Sequence, residues 1–334
     1  MEKIIILSSI LILNSIIIFF FDKIGFLKFI IDKPDTQRKF HKKPTALAGG
    51  IILILNILFY YLYLLTNENY LFNEIFFKNF QELNLFIFSC LSIFLIGLLD
   101  DKFNFRPSLK FFLLFVIISI LIFLDQSVKI EIVNFSFEDK KFYLNNYSFI
   151  FTLFCFLVFI NAFNMFDGIN LQSSTYSIII FLSLIFLDNS TILIIGLIFL
   201  LSFSYLNHNN KSFMGDNGSL LISFIIGYFF IKLYNKDVIS YCDQIFIFMM
   251  LPGLDMIRLF FERIYKKQNP FSYDRCHLHH LLLKKISYNK TILVINFLIL
   301  IPIIFSYLNV NNFLIILFTI ISYILILFKL RNEK

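Results

Sequence analysis

The chain has 334 residues, of which 59% are hydrophobic and 15% charged, with a formal net charge of +7. Soluble domains run about 45–50% apolar and about 25% charged, so this composition excludes an ordinary water-soluble globule. So much apolar surface with so little charge also excludes intrinsic disorder.

A bilayer-crossing helix needs about 20 mostly apolar residues. Runs that meet or approach this length fall at 3–21, 44–65, 84–99, 109–125, 148–164, 173–187, 190–206, 218–235, 240–257, 291–308 and 311–330. The first has Lys3 in front and no small-residue cleavage site behind, and reads as a retained helix rather than a signal peptide. Asp188-Asn189 and Asn311-Asn312 mark tight turns in two helical hairpins. The expected fold is all-α: one membrane-embedded domain over 1–334, a polytopic bundle of about eleven transmembrane helices. With the N-terminus outside, Lys and Arg divide 22 inside to 7 outside. This fits the positive-inside rule and puts the C-terminus in the cytoplasm. In such a protein the net charge is a topology signal, not a sign of nucleic-acid binding. Four scattered cysteines (Cys90, Cys155, Cys242, Cys276), with no CxxC pair, argue against a disulfide scaffold.

Four polar clusters sit at span ends, all on the inside by that count. Asp100-Asp101 closes the third span, followed by Lys102, Arg106 and Lys110. Paired carboxylates at a membrane edge need a cation, a shared proton or nearby lysines, unless they simply flank the span. Asn161, Asn164 and Asp167 share one helical face before Gly168 and Asn170. Three such oxygens suit a hard cation or a hydroxyl-rich ligand; helix capping is the plainer alternative. Asp216 lies between Gly215 and Gly218 just before the eighth span. Backbone amides there suit a diphosphate and the carboxylate suits Mg²⁺, or the Asp is an N-cap. Asp274-Arg275-Cys276-His277-Leu278-His279-His280 holds three of the five histidines. A cationic pocket for phosphates or a nucleotide fits this run better than zinc does. A cytoplasmic site of this kind in a protein that is nearly all membrane points to phosphate chemistry between a nucleotide-like substrate and a lipid.

At these residues the sequence resembles the polyprenyl-phosphate N-acetylhexosamine-1-phosphate transferases of bacterial envelope synthesis, glycosyltransferase family 4. The matching stretches are Asp32-Lys33-Pro34-Asp35 with Arg38-Lys39-Phe40-His41 and Gly49-Gly50, then Gly97 to Asp101, Asn161 to Gly168, Phe213 to Ser219 and Asp274 to His280. The span number and the His-x-His-His form look like the branch that starts O-antigen, enterobacterial common antigen or teichoic acid linkage units. The resemblance implies that undecaprenyl phosphate attacks a UDP-N-acetylhexosamine, most simply UDP-GlcNAc, and that UMP leaves. It implies a bacterial inner membrane, and Mg²⁺, with Mn²⁺ as a substitute. Asp100, Asp101, Asp167 and Asp216 become the catalytic carboxylates, with Asn164 and Asp216 toward the metal. Lys110 matches a family lysine near the phosphates. Arg275, His277, His279 and His280 would hold the donor diphosphate; Asn161, Asn170, Asn207, Lys33, Arg38 and His41 would bind substrate. No nucleic acid is implied, and a homodimer is the one protein partner the reading allows. The family usually reads Asp-Gly-x-Asp-Gly-Leu where this chain reads Asp167-Gly168-Ile169-Asn170-Leu171-Gln172. The competing classes are a lipid or sugar transporter, which would place charges at mid-span, and an inactive scaffold descended from the family.

Overall fold

The computed structural model describes residues 2–34, 43–67, 75–269 and 275–332. Twelve helices dominate these residues. They are α1 (Glu2–Phe20), α2 (Gly49–Thr66), α3 (Phe80–Phe103), α4 (Pro107–Leu124), α5 (Ser148–Phe166) and α6 (Gln172–Leu187), followed by α7 (Thr191–His208), α8 (Gly215–Asn235), α9 (Cys242–Tyr265), α10 (Leu278–Leu283), α11 (Tyr288–Tyr307) and α12 (Asn312–Asn332). Ten are long and apolar enough to cross a bilayer. The expected sixth span, α6, has 16 residues. At 1.5 Å per residue it reaches about 24 Å, short of a hydrocarbon core of about 30 Å.

The helices begin and end where local chemistry dictates. The Asn79 side chain accepts a hydrogen bond from the Glu82 amide at 2.9 Å and caps α3. Asn104, at φ 50°, ends it in a left-handed turn. Pro107 then opens α4 at a position where its missing N–H costs nothing.

α8 is the axis of the bundle. Every residue from Asn217 to Tyr234 is buried, against a wall built mainly by α3, α5 and α2. Large side chains left exposed, such as Phe19, Phe123, Phe186 and Phe328, lie on the outer helices. In a bilayer they face lipid, so their exposure carries no penalty.

Two small sheets break the all-α expectation. Strands β1 (Ile31–Asp32), β2 (Thr45–Leu47) and β5 (Ser212–Phe213) form one, with β2 antiparallel to β1 and parallel to β5. This sheet joins the segment between α1 and α2 to the chain entering α8. Strands β3 (Ile132–Phe135) and β4 (Glu138–Tyr143) form a hairpin at the opposite end. Tyr234 Oη donates to the Ile132 carbonyl at 3.1 Å and accepts from the Asn134 amide at 2.8 Å, which ties the hairpin to the far end of α8. Neither sheet has the length or alternation that a sequence pattern reveals.

Candidate functional site

The site forms where α3, α4, α5 and α8 meet at one end of the bundle. Lys110, in the first turn of α4, extends its ammonium into a cluster of oxygens. Nζ lies 2.7 Å from Asp100 Oδ2 and 2.7 Å from Asp216 Oδ2. It donates more weakly to Asn164 Oδ1 at 3.4 Å. The Asn164 amide nitrogen donates to Asp216 Oδ1 and to Ser219 Oγ, each at 2.8 Å. Three residues from three helices therefore share one cation, supplied by a fourth helix. Two carboxylates and an amide oxygen form a hard donor set of the kind that suits Mg²⁺, and the ammonium marks where positive charge is already accepted. Among the described residues no three His, Cys, Asp or Glu side chains gather to hold a metal by themselves.

The adjacent carboxylates Asp100 and Asp101 do different things. Asp100 is buried, accepts from the Phe105 amide at 2.7 Å, and turns its other oxygen to Lys110. Asp101 caps α8 from another helix. It accepts from the Asp216 amide at 2.9 Å, the Asn217 amide at 3.0 Å and the Asn217 side-chain nitrogen. The anion at this helix start, where a diphosphate was expected, is the protein's own carboxylate. Such close contact between α3 and α8 requires Gly97: a Cβ there would stand 2.5 Å from the Asp216 carbonyl and from Asn217 Cα.

The loop after α5 forms the second wall. The Asp167 carboxylate accepts from Ser173 Oγ at 2.5 Å, and burial pushes its pKa up to about 7. Gly168 lies against His279 so closely that a Cβ would meet Nε2 at 2.0 Å. The His279 ring is 1% exposed, and its Nε2 has no hydrogen-bond partner. Burial holds its pKa well below the imidazole range. His280 is held down to about 4, first by burial and then by its basic neighbours.

His277 lies beside them, its ring nearly parallel to that of His279 at 5.4 Å. Nδ1 is 2.8 Å from Asp255 Oδ2 on α9. The other Asp255 oxygen accepts from Arg258 and from Tyr323 of α12. These three residues are not among the sequence candidates. Their signal was there to read: a carboxylate and an arginine three residues apart inside an apolar span.

The remaining candidates divide. Asn170 and Asn207 form a clasp between two loops. The Asn170 amide donates to the Asn207 carbonyl at 3.1 Å and to Asn210 Oδ1 at 2.7 Å. Asn207 Oδ1 accepts from the Leu171 amide at 2.6 Å, and its nitrogen donates to the Ser212 carbonyl at 2.8 Å. Asn161 lies on the same helix as Asn164 but spends its amide on the Leu157 carbonyl one turn back. Lys33 and Arg275 are exposed. Arg38 and His41 lie outside the described residues, as do Asp35 and Asp274.

Fold and site together describe a polytopic helical membrane protein with a lysine–carboxylate cluster at one end of its bundle, and the chain is similar to known membrane transferases. Residues 83–234 match the model of a family described as Glycosyl transferase family 4. The stretch runs from α3 to the end of α8 and so carries the Lys110 cluster and Asp167. Undecaprenyl-phosphate alpha-N-acetylglucosaminyl 1-phosphate transferase of Salmonella typhi is 26% identical over 291 residues, 83% of this chain and 76% of its own. The Yersinia pestis protein of the same name is 27% identical over 269 residues, 76% of this chain and 70% of its own. That of Thermotoga maritima is 27% identical over 289 residues, 85% of this chain and 81% of its own. The resemblance read from the motifs is borne out.

Proposed function

We propose that this chain transfers N-acetylhexosamine 1-phosphate, with GlcNAc-1-phosphate the first choice, from a UDP-sugar to undecaprenyl phosphate at the cytoplasmic face of a bacterial inner membrane. A lipid phosphate oxygen forms a bond to the β-phosphorus of the donor. The bond from that phosphorus to the bridging oxygen breaks, and UMP leaves with the electron pair. The product, a polyprenyl diphosphate sugar, starts an envelope glycan. The observation that carries this reading is the Asp100–Lys110–Asp216–Asn164 cluster, within the stretch matched by the family model.

The residues meet the physical demand of joining two polyanions. Phosphoryl transfer depends on positioning and on neutralising charge spread over equatorial oxygens. Lys110 supplies a fixed cation at the start of α4. Asp216 and Asn164 would hold Mg²⁺, with Asp100 beside them; when bound, the ion neutralises phosphate oxygens and aligns them. A phosphate monoester has its second pKa near 6. Asp100 therefore orients the lipid phosphate and has little need to deprotonate it. Asp101 acts through Asp216 by fixing the start of α8. Asp167 and the histidines at 277, 279 and 280 face the donor from the opposite wall, with Arg275 at the mouth. Asn170 and Asn207 hold the wall loops together.

The test is product mass. Purified protein is incubated with undecaprenyl phosphate, Mg²⁺ and each UDP-N-acetylhexosamine in turn, and the lipid fraction is read by mass spectrometry. The expected product is undecaprenyl diphosphate bearing one N-acetylhexosamine. A folded protein that yields no sugar-bearing lipid with any donor would refute the reading.

A further inference from the structure

The carboxylate at position 255 lies in an apolar span, 22 residues before the histidine it contacts. Asp255 is 3% exposed and His277 is 7% exposed. The two oxygens of Asp255 have separate duties. Oδ1 accepts three donors: Arg258 Nη2 at 2.8 Å, Tyr323 Oη at 2.7 Å and the Leu278 amide at 3.2 Å. Among the described residues Oδ2 has one hydrogen-bond partner, His277 Nδ1 at 2.8 Å. Arg258 is braced in turn. Its Nη2 donates to the Cys276 carbonyl at 2.7 Å, its Nη1 to Glu262 Oε1 at 2.9 Å and its Nε to Tyr323 Oη at 2.9 Å. A carboxylate beside a fixed guanidinium is an anion and can only accept. His277 Nδ1 must therefore carry a proton. Nε2 is left as the open ring atom, with no hydrogen-bond partner among the described residues.

We propose that Asp255 is a positioning residue that locks His277 with its proton on Nδ1, so that a diphosphate docking at Nε2 meets a doubly protonated ring. This rests on the nucleotide-sugar reading above and adds a residue to it. A ring flanked by the Asp255 carboxylate on one nitrogen and a phosphate oxygen on the other carries a proton on each, and both bonds are charge-assisted. The brace reaches α12 through Tyr323, so the last helix of the chain fixes the geometry of a donor-binding histidine.

The same geometry dictates what Asp255→Asn does. Three donors already point at the Oδ1 position, so the amide oxygen must sit there. The amide nitrogen then faces His277 Nδ1 and donates to it. The ring is forced into the other tautomer, with its single proton on Nε2, so the phosphate meets a neutral donor in place of an imidazolium.

Two readouts test this on the full-length protein in detergent. The first is ¹⁵N NMR of histidine-labelled protein, in which only five histidines contribute, with His277→Gln assigning the signal. The free wild-type protein should show the proton on Nδ1, and Asp255→Asn should move it to Nε2. The second is a double-mutant cycle on UMP release from UDP-N-acetylglucosamine with undecaprenyl phosphate. Asp255→Asn should lower kcat/KM about tenfold, the difference between an imidazolium and a neutral imidazole as donor to the phosphate. In the His277→Ala background the same change should cost less than about twofold. A wild-type ring protonated on Nε2, or an equal loss in both backgrounds, overturns the proposal. If the wild type releases no UMP, the functional reading fails, and the NMR readout alone then decides the role of Asp255.

Discussion

Asp216 has the most to lose from a one-atom change. It takes Lys110 on one oxygen and Asn164 on the other. Asp216→Asn keeps the shape and removes the charge, so turnover should fall on the order of 100-fold or more, as when one preorganised electrostatic group is lost. Unchanged elution in size exclusion would show that the fold survived. Asn170, which stands where the family usually has an acid, gives the opposite lesson. Its amide is a donor to two oxygens, Asn207 O and Asn210 Oδ1. Asn170→Asp would set oxygen against oxygen and should cost about 1–3 kcal/mol of stability, seen as a lower thermal midpoint with no gain in UMP release. A higher midpoint would show that the clasp is misread. At this scale much of the site was legible: the motifs named Asp100, Lys110, Asn164 and Asp216, which do converge. What stayed hidden was the division of labour between Asp100 and Asp101. Sequence places two carboxylates side by side and cannot say that one of them turns to cap a helix 115 residues away.

α3 and α8 form the central pair, and ions pin both ends. At the Lys110 end Asp101 caps α8. At the opposite end Lys232 of α8, 1% exposed, lies 2.7 Å from Glu82 of α3 and 3.3 Å from Asp125. Removing one member of a buried ionic group strands the others, at a cost of about 3–5 kcal/mol. Lys232→Met should therefore lower the unfolding midpoint strongly, although it lies far from the phosphates. A midpoint within a degree of wild type would mean that the cluster is solvated. Hydropathy located these helices well, because a bilayer imposes length and apolarity on any span. It could not locate the hairpin of β3 and β4, whose six-residue second strand is exposed throughout. Nor could it complete the Asp255 brace. The spacing of Asp255 and Arg258 was there to read, but it does not name His277 or Tyr323 until the fold brings α9, α12 and the histidine loop together.

Over the whole molecule, two titrations act in opposite directions on stability. His280 is held near 4 against an ordinary value of about 6.5. Its contribution is present above pH 6.5 and is lost as pH falls through 4. Burial of His279 acts in the same direction. Asp167 is raised to about 7 from an ordinary value near 3.9. Its contribution is present in acid and is lost as pH rises through 7. The two windows overlap, so each partly hides the other in the wild type. Asp167→Asn removes only the second, and the thermal midpoint should then fall more steeply between pH 6.5 and 4 than in wild type; equal slopes would contradict this assignment. The central claim concerns the cation that α4 supplies to three other helices, and UMP release tests it most directly. Wild-type protein and Lys110→Met are compared side by side with undecaprenyl phosphate, Mg²⁺ and UDP-N-acetylglucosamine, with EDTA as the control. The account predicts lipid-dependent and EDTA-sensitive release by the wild type, and release slower by on the order of 100-fold from the folded variant. Equal rates from both proteins would contradict it.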